Sequence, residues 1–262
     1  MLSGQNNETM FEYNSIPQVG CCLSNQGGVY SLNEIAKQFI KINASDEEKV
    51  HLLLFFQAIS YVNMSYLIFN IDVIKEKKEN NDEKSAQSEK TEEGNNQYLE
   101  RTFAYELYRQ WQNLLCCYKF PQRLDAEIGK KISNIGNFEQ LKALKCESKE
   151  PDLVLHDSQA YIGNHIIACE IKRKKYLDKT KIKNDLEKLF MYMHKDVWDE
   201  HPYQYGCFIV VNELFNNLET VIRSLKDDLI TYATNVNFNH LLCITYKGDS
   251  LNYDTLNNIL GI

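Results

Sequence analysis

The chain has 262 residues, 44% of them hydrophobic and 11% aromatic, with sixteen Tyr. That composition buries a core, so it excludes a wholly disordered, collagen-like or mucin-like chain. A net charge of −7 excludes a uniformly basic nucleic-acid coat and leaves room only for a local basic patch.

The first thirty residues are polar. Gly27-Gly28 reads as a turn and not a phosphate loop, because no Gly-Lys-Ser/Thr follows. No basic segment precedes an apolar run, so no signal peptide is expected. Ser31 with Glu34 three residues later forms a capping-box pattern ahead of LNEIAKQFI. A second helix is expected from Ser45-Asp46 through EEKVHLLLFFQAISYV. Its apolar stretch continues to Ile71 but carries Gln57, Asn63 and Asn70, which points to a buried helix and not a membrane span. Residues 75–96 contain no aromatic or branched aliphatic residue, and five Lys oppose seven Asp and Glu. We read 76–96 as a charged linker between a helical N-terminal region, 1–75, and a second domain, 97–262.

Leu99, Phe103, Leu107, Trp111, Leu114 and Tyr118 recur at helical steps, predicting one long helix over 97–119 that stops before Pro121. RLDAEIGKKI (123–132) reads as a strand, and 133–150 as a polar stretch without a clear pattern. PDLVLHD (151–157) and HIIACEIKRK (165–174) read as two strands. An amphipathic helix is expected over 179–198, a strand buried on both faces over 205–212, a helix over 214–233 and a last apolar strand over 240–246. The fold class is α/β, a central mixed sheet flanked by helices in the order α-β-β-β-α-β-α-β. The eight Cys include no Cys-x-x-Cys pair. They read as buried thiols of a reducing compartment, so a cytoplasmic location is expected.

The chemistry concentrates in PDLVLHDSQAYIGNHIIACEIKRKK. Asp152 is followed eighteen residues later by Glu170, and then by Lys172. Side chains alternate along a strand, so Glu170 and Lys172 share a face. If the two strands form a hairpin with Asp152 opposite Glu170, their Cβ atoms lie roughly 4.5–5.5 Å apart. Two carboxylates that close repel unless a cation separates them, and oxygen ligands suit Mg²⁺ or Mn²⁺. The ammonium of Lys172, one strand step away, would steady a pentavalent phosphorane or orient an attacking water. The alternative is a surface Glu–Lys ion pair worth under about 1 kcal/mol. Against it, Glu170 follows HIIAC, a run that should be buried, and a buried carboxylate needs a partner.

Pro151, Asp152, Glu170 and Lys172, on a hairpin preceded and followed by helices, resemble the motif of the PD-(D/E)xK nuclease superfamily, with its restriction-endonuclease-like fold. The resemblance spans roughly 97–246. It implies Asp152 and Glu170 as metal ligands joined by the backbone carbonyl of Ile171, with Lys172 as the catalytic lysine and Mg²⁺ or Mn²⁺ as cofactor. Such enzymes often add an acidic residue from the first helix. Glu106 is the residue chosen for that role, with Glu100 on the other flank of the apolar stripe as second choice. Asp185 and Lys188, on the helix after the motif, would line the cleft.

Residues 172–183, KRKKYLDKTKIK, carry a local charge of +6, leaving −13 on the remainder. A basic strip on an acidic chain is the footprint of phosphate-backbone contact confined to one cleft. Arg173, Lys174, Lys175, Lys179, Lys181 and Lys183 are the expected nucleic-acid contacts. His156 falls on the Asp152 face and reads as packing. The expected function is a metal-dependent endonuclease acting on DNA. A homodimer would supply one site for each strand, and no membrane partner is expected. The alternatives are a non-catalytic nucleic-acid-binding or assembly subunit of the same fold, and an unrelated α/β interaction protein whose basic strip binds an acidic partner.

Overall fold

A computed structural model describes residues 46–62, 88–126, 151–157, 165–173, 177–196, 202–247 and 250–262. The helix expected after Ser31, the linker as far as residue 87, the continuation of the first strand past 126, and the polar stretch 133–150 lie outside the described residues. Two helices, α1 (Asp46–Ser60) and α2 (Ser88–Cys117), precede a hairpin-linked trio of strands: β1 (Arg123–Ala126), β2 (Leu153–His156) and β3 (His165–Arg173). Helix α3 (Lys179–Met193) then leads to β4 (Tyr205–Val211). Helices α4 (Phe215–Arg223) and α5 (Lys226–Leu229) lead to β5 (Leu241–Lys247), and β6 (Ser250–Thr255) and α6 (Leu256–Leu260) finish the chain.

The six strands form one open mixed sheet in sequential order. β2 runs antiparallel to both its neighbours, β1 and β3; β3, β4 and β5 run parallel, and β6 returns antiparallel along the edge. Both parallel steps cross over the same face, as expected when successive crossovers of one hand move in one direction across a sheet. The period-two alternation sorts the strand residues between two cores. Leu153, Leu155, Cys169, Ile171 and Ile209 pack under α1 and α2, while Val154, Ala168, Phe208 and Val210 pack under α3 and α4. β4 is buried along its whole length, as its unbroken apolar run predicts.

Helix α1 is buried from His51 to Ser60, consistent with a sequence that is apolar nearly all round. It belongs to the same core as the sheet. The Tyr246 hydroxyl, on β5, donates to the Val62 carbonyl at 3.2 Å. Phe103, Leu107, Trp111 and Leu114 form the buried stripe of α2, and the Trp111 ring centroid lies 4.8 Å from that of Phe55. Trp111→Ala should cost about 3–5 kcal/mol of unfolding free energy. A urea-unfolding series measures it, and a loss under about 1 kcal/mol would show that α1 and α2 do not share one core with the sheet. Among the described residues, no helix is long and apolar enough to cross a membrane.

Several elements depart from the sequence reading. Helix α2 starts at Ser88, inside the stretch read as linker. The helix expected over 214–233 breaks after Arg223. There the Ser224 hydroxyl donates to the Val221 carbonyl at 2.7 Å, and Leu225 leaves helical geometry. β6 and α6 were not anticipated. An edge strand with one wet face, SLNYDT, lacks the apolar run that marks β4 and β5. Cys116 and Cys117 are exposed at the end of α2, beyond its packed stripe, whereas Cys169, Cys207 and Cys243 are buried in the sheet as expected.

Candidate active site

The ladder between β2 and β3 pairs Leu153 with Cys169, and one further step in that register sets Asp152 opposite Glu170. The Asp152 amide, just before β2, donates to the Cys169 carbonyl at 3.0 Å, which holds this residue against β3. Asp152 and Glu170 fall in phase with Val154 and Ala168, which pack against α3. Both carboxylates, and Lys172 two residues on, therefore project toward that helix.

Helix α3 completes the cluster. Asp178 caps it, accepting from the amides of Thr180 at 2.9 Å and Lys181 at 3.3 Å. The register that buries Ile182, Leu186 and Leu189 also buries Asp185 and brings Lys188 one turn along the same side. The Lys188 ammonium donates to Glu170 Oε2 at 2.6 Å and lies 3.6 Å from Asp185 Oδ1. The Lys172 ammonium lies 3.6 Å from Asp185 Oδ2. Asp152 Oδ2 accepts from the Ile171 amide at 2.6 Å.

The fourth carboxylate comes from Glu100 and not from Glu106. Glu100 Oε1 accepts from the Arg173 amide at 3.0 Å, and its field reaches Lys172, Asp152 and Asp185. Glu106 instead bonds Arg109 at 2.6 Å and Gln110 at 2.8 Å on the flank of α2, and these bonds outweigh burial and hold its carboxyl below the usual range. Glu106, the residue chosen from the sequence, is therefore not among the groups brought together here. Glu100 sits one turn before Phe103 on the buried stripe, so the helix delivers it to the end of β3, and an acid at the head of an apolar stripe was the available signal.

Electrostatically the site is unrelieved. Glu170 has no solvent exposure, and its Oε1 is buried without a hydrogen-bond partner among the described residues. Burial, and then the Asp152 charge, push the Glu170 carboxyl up to about 8 despite Lys188. Burial also raises Asp152 against the opposing pull of the Ile171 amide, Lys172 and Lys188, and it raises Glu100. Burial disfavours the charge of Lys188, yet Glu170, Asp185 and Asp152 together lift its pKa. Buried carboxyls raised in this way hold their protons to higher pH than exposed ones.

The donors present are hard oxygens, which suit Mg²⁺ or Mn²⁺. Among the described residues, no group of three or more His, Cys, Asp and Glu side chains is spaced to hold a metal ion. The ligand set read from the sequence, two carboxylates and the Ile171 carbonyl, is smaller than such a group.

The basic strip is divided. Arg173 is buried beside Glu100, and Lys174 and Lys175 lie outside the described residues. Lys179 donates to the Ser224 carbonyl at 2.7 Å, and Lys183 pairs with Asp228 at 3.1 Å, so both tie α3 to the segment behind it. Lys181 is exposed and lies one turn before Asp185 on the side of α3 that carries the site. His156 is buried against Asp125, 2.8 Å from Nε2 to Oδ2, among the sheet's packing. No model of a known protein family, no curated protein and no solved structure matches the chain.

Proposed function

We propose that the chain is a metal-dependent phosphodiesterase, an endonuclease acting on DNA, with the PD-(D/E)xK arrangement of a restriction-endonuclease-like core. One observation carries the reading. The Asp152 carboxylate accepts from the Ile171 amide at 2.6 Å, which sets it beside Glu170 and Lys172, two residues in phase on β3. A divalent ion held there would supply an activated water and neutralise charge developing on the phosphate. Asp152 and Glu170 would hold that ion, joined by the Ile171 carbonyl. Asp185 holds the Lys172 ammonium over the cleft, where it can meet a phosphate oxygen or the attacking water. Glu100 closes the end of β3 and adds negative charge beside Lys172. Lys181, exposed on α3, would be the basic residue that meets the phosphate backbone.

The test is cleavage of supercoiled plasmid, single-stranded DNA and RNA with Mg²⁺, Mn²⁺ or a chelator. Nicking or linearisation that requires the metal supports the reading, and metal-independent cleavage would refute it. The second reading, a non-catalytic nucleic-acid-binding subunit, is favoured by the Lys188–Glu170 pair, which gives Glu170 a cation without a metal. It predicts salt-dependent DNA binding with no cleavage in any metal.

A further inference from the structure

Both central carboxylates are held through one oxygen. Asp152 is fixed through Oδ2 by the Ile171 amide, and Glu170 through Oε2 by the Lys188 ammonium, each at 2.6 Å. The second Glu170 oxygen, Oε1, is buried without a hydrogen-bond partner among the described residues. Lys188 is itself fixed. Its side chain is 20% exposed, and Asp185, one turn earlier on α3, lies 3.6 Å from its ammonium. The ion pair therefore links two elements, β3 and the third turn of α3.

We propose that Lys188 is a positioning residue that pins Glu170 through Oε2 and so presents Oε1 as the atom that takes a divalent cation. This rests on the metal-site reading above. A Glu side chain has three rotatable bonds, and ordering it at the moment of binding costs affinity. A donor already in place meets that cost on folding. The ammonium also repels an incoming dication. Positioning and repulsion have opposite signs in one measurement, so the experiment decides between them.

The measurement is calorimetric titration of the full chain with Mn²⁺ at pH 8, with thermal melting of each metal-free protein as a folding control. Wild type should bind Mn²⁺ and Glu170→Gln should not. Lys188→Met, which keeps the aliphatic stem, should bind about 10–100-fold more weakly. Lys188→Arg, which keeps a charged donor, should restore most of the affinity, a rescue that a merely structural loss would not show. If Lys188→Met does not fold, Lys188→Gln takes its place in the same comparison. Equal or tighter binding by a folded Lys188→Met would overturn the positioning role and leave the metal site standing. No Mn²⁺ binding by wild type would overturn the metal site, and this proposal with it.

Discussion

Asp152→Asn and Lys172→Met should each lower metal-dependent cleavage by about 10²–10³-fold, the usual cost of removing one charge-stabilising group from an active site. Both changes spare the scaffold. Asn keeps an oxygen that can accept from the Ile171 amide, now 2.6 Å from Asp152 Oδ2. Met keeps the stem of Lys172, whose side chain is 30% exposed and whose ammonium is 3.6 Å from Asp185. The double variant should fall well short of the product of the single losses, because groups that act as a unit are not additive. Glu106→Gln serves as the control. Its carboxylate is occupied by Arg109 and Gln110, so its rate should stay within about twofold of wild type, whereas Glu100→Gln should change the rate measurably. Rates are measured as single-turnover cleavage with subsaturating and saturating Mg²⁺. Wild-type rates in Asp152→Asn would remove these residues from the mechanism.

The second large effect is on stability against pH. Glu170 titrates at about 8 in the folded chain against an ordinary 4.5. Between those values the folded state holds a proton that the unfolded state has lost, so stability falls as pH rises through this window. The contribution is whole below about pH 4.5 and gone above the folded pKa. Asp152 and Glu100, also raised, act in the same direction from ordinary values of 3.8 and 4.5. Lys188, raised from 10.5, adds stability that is lost only at higher pH, outside the window. The melting temperature of metal-free protein should therefore drop from pH 5 to pH 8.5. Glu170→Gln, which cannot ionise, should flatten that drop. Mn²⁺ should raise the melting temperature more at pH 8.5 than at pH 5, since it must displace the proton, and a ligand at 100 times its Kd adds about 2.7 kcal/mol. A flat profile in wild type, or one unchanged by Glu170→Gln, would contradict the buried-carboxylate description.

The sheet was legible because its strands carry strong signals. The apolar runs at 205–212 and 240–246 can only be buried, and the alternation in HIIACEIK assigns Glu170 and Lys172 to the face opposite Cys169 and Ile171. That Asp185 and Lys188 lie on the side of α3 facing Glu170 and Lys172 followed from helical spacing. Four features resisted. Glu100 was ranked below Glu106 because both flank the same stripe, and only the packing of α2 against the end of β3 separates them. β6 has a wet face, so its pattern is weak. The break after Arg223 depends on one serine hydroxyl competing for a backbone carbonyl. The engagement of Lys179 and Lys183 by Ser224 and Asp228 depends on how α3 lies against the following segment, which a count of basic residues does not carry.

Anomalous diffraction from crystals grown with Mn²⁺ at pH 8 addresses the core of the account most directly. It should place a manganese peak between the two carboxylates, within about 2.0–2.3 Å of an oxygen from Asp152 and of Glu170 Oε1. A peak elsewhere, or none at all with Lys188 still bonded to Glu170, would contradict it.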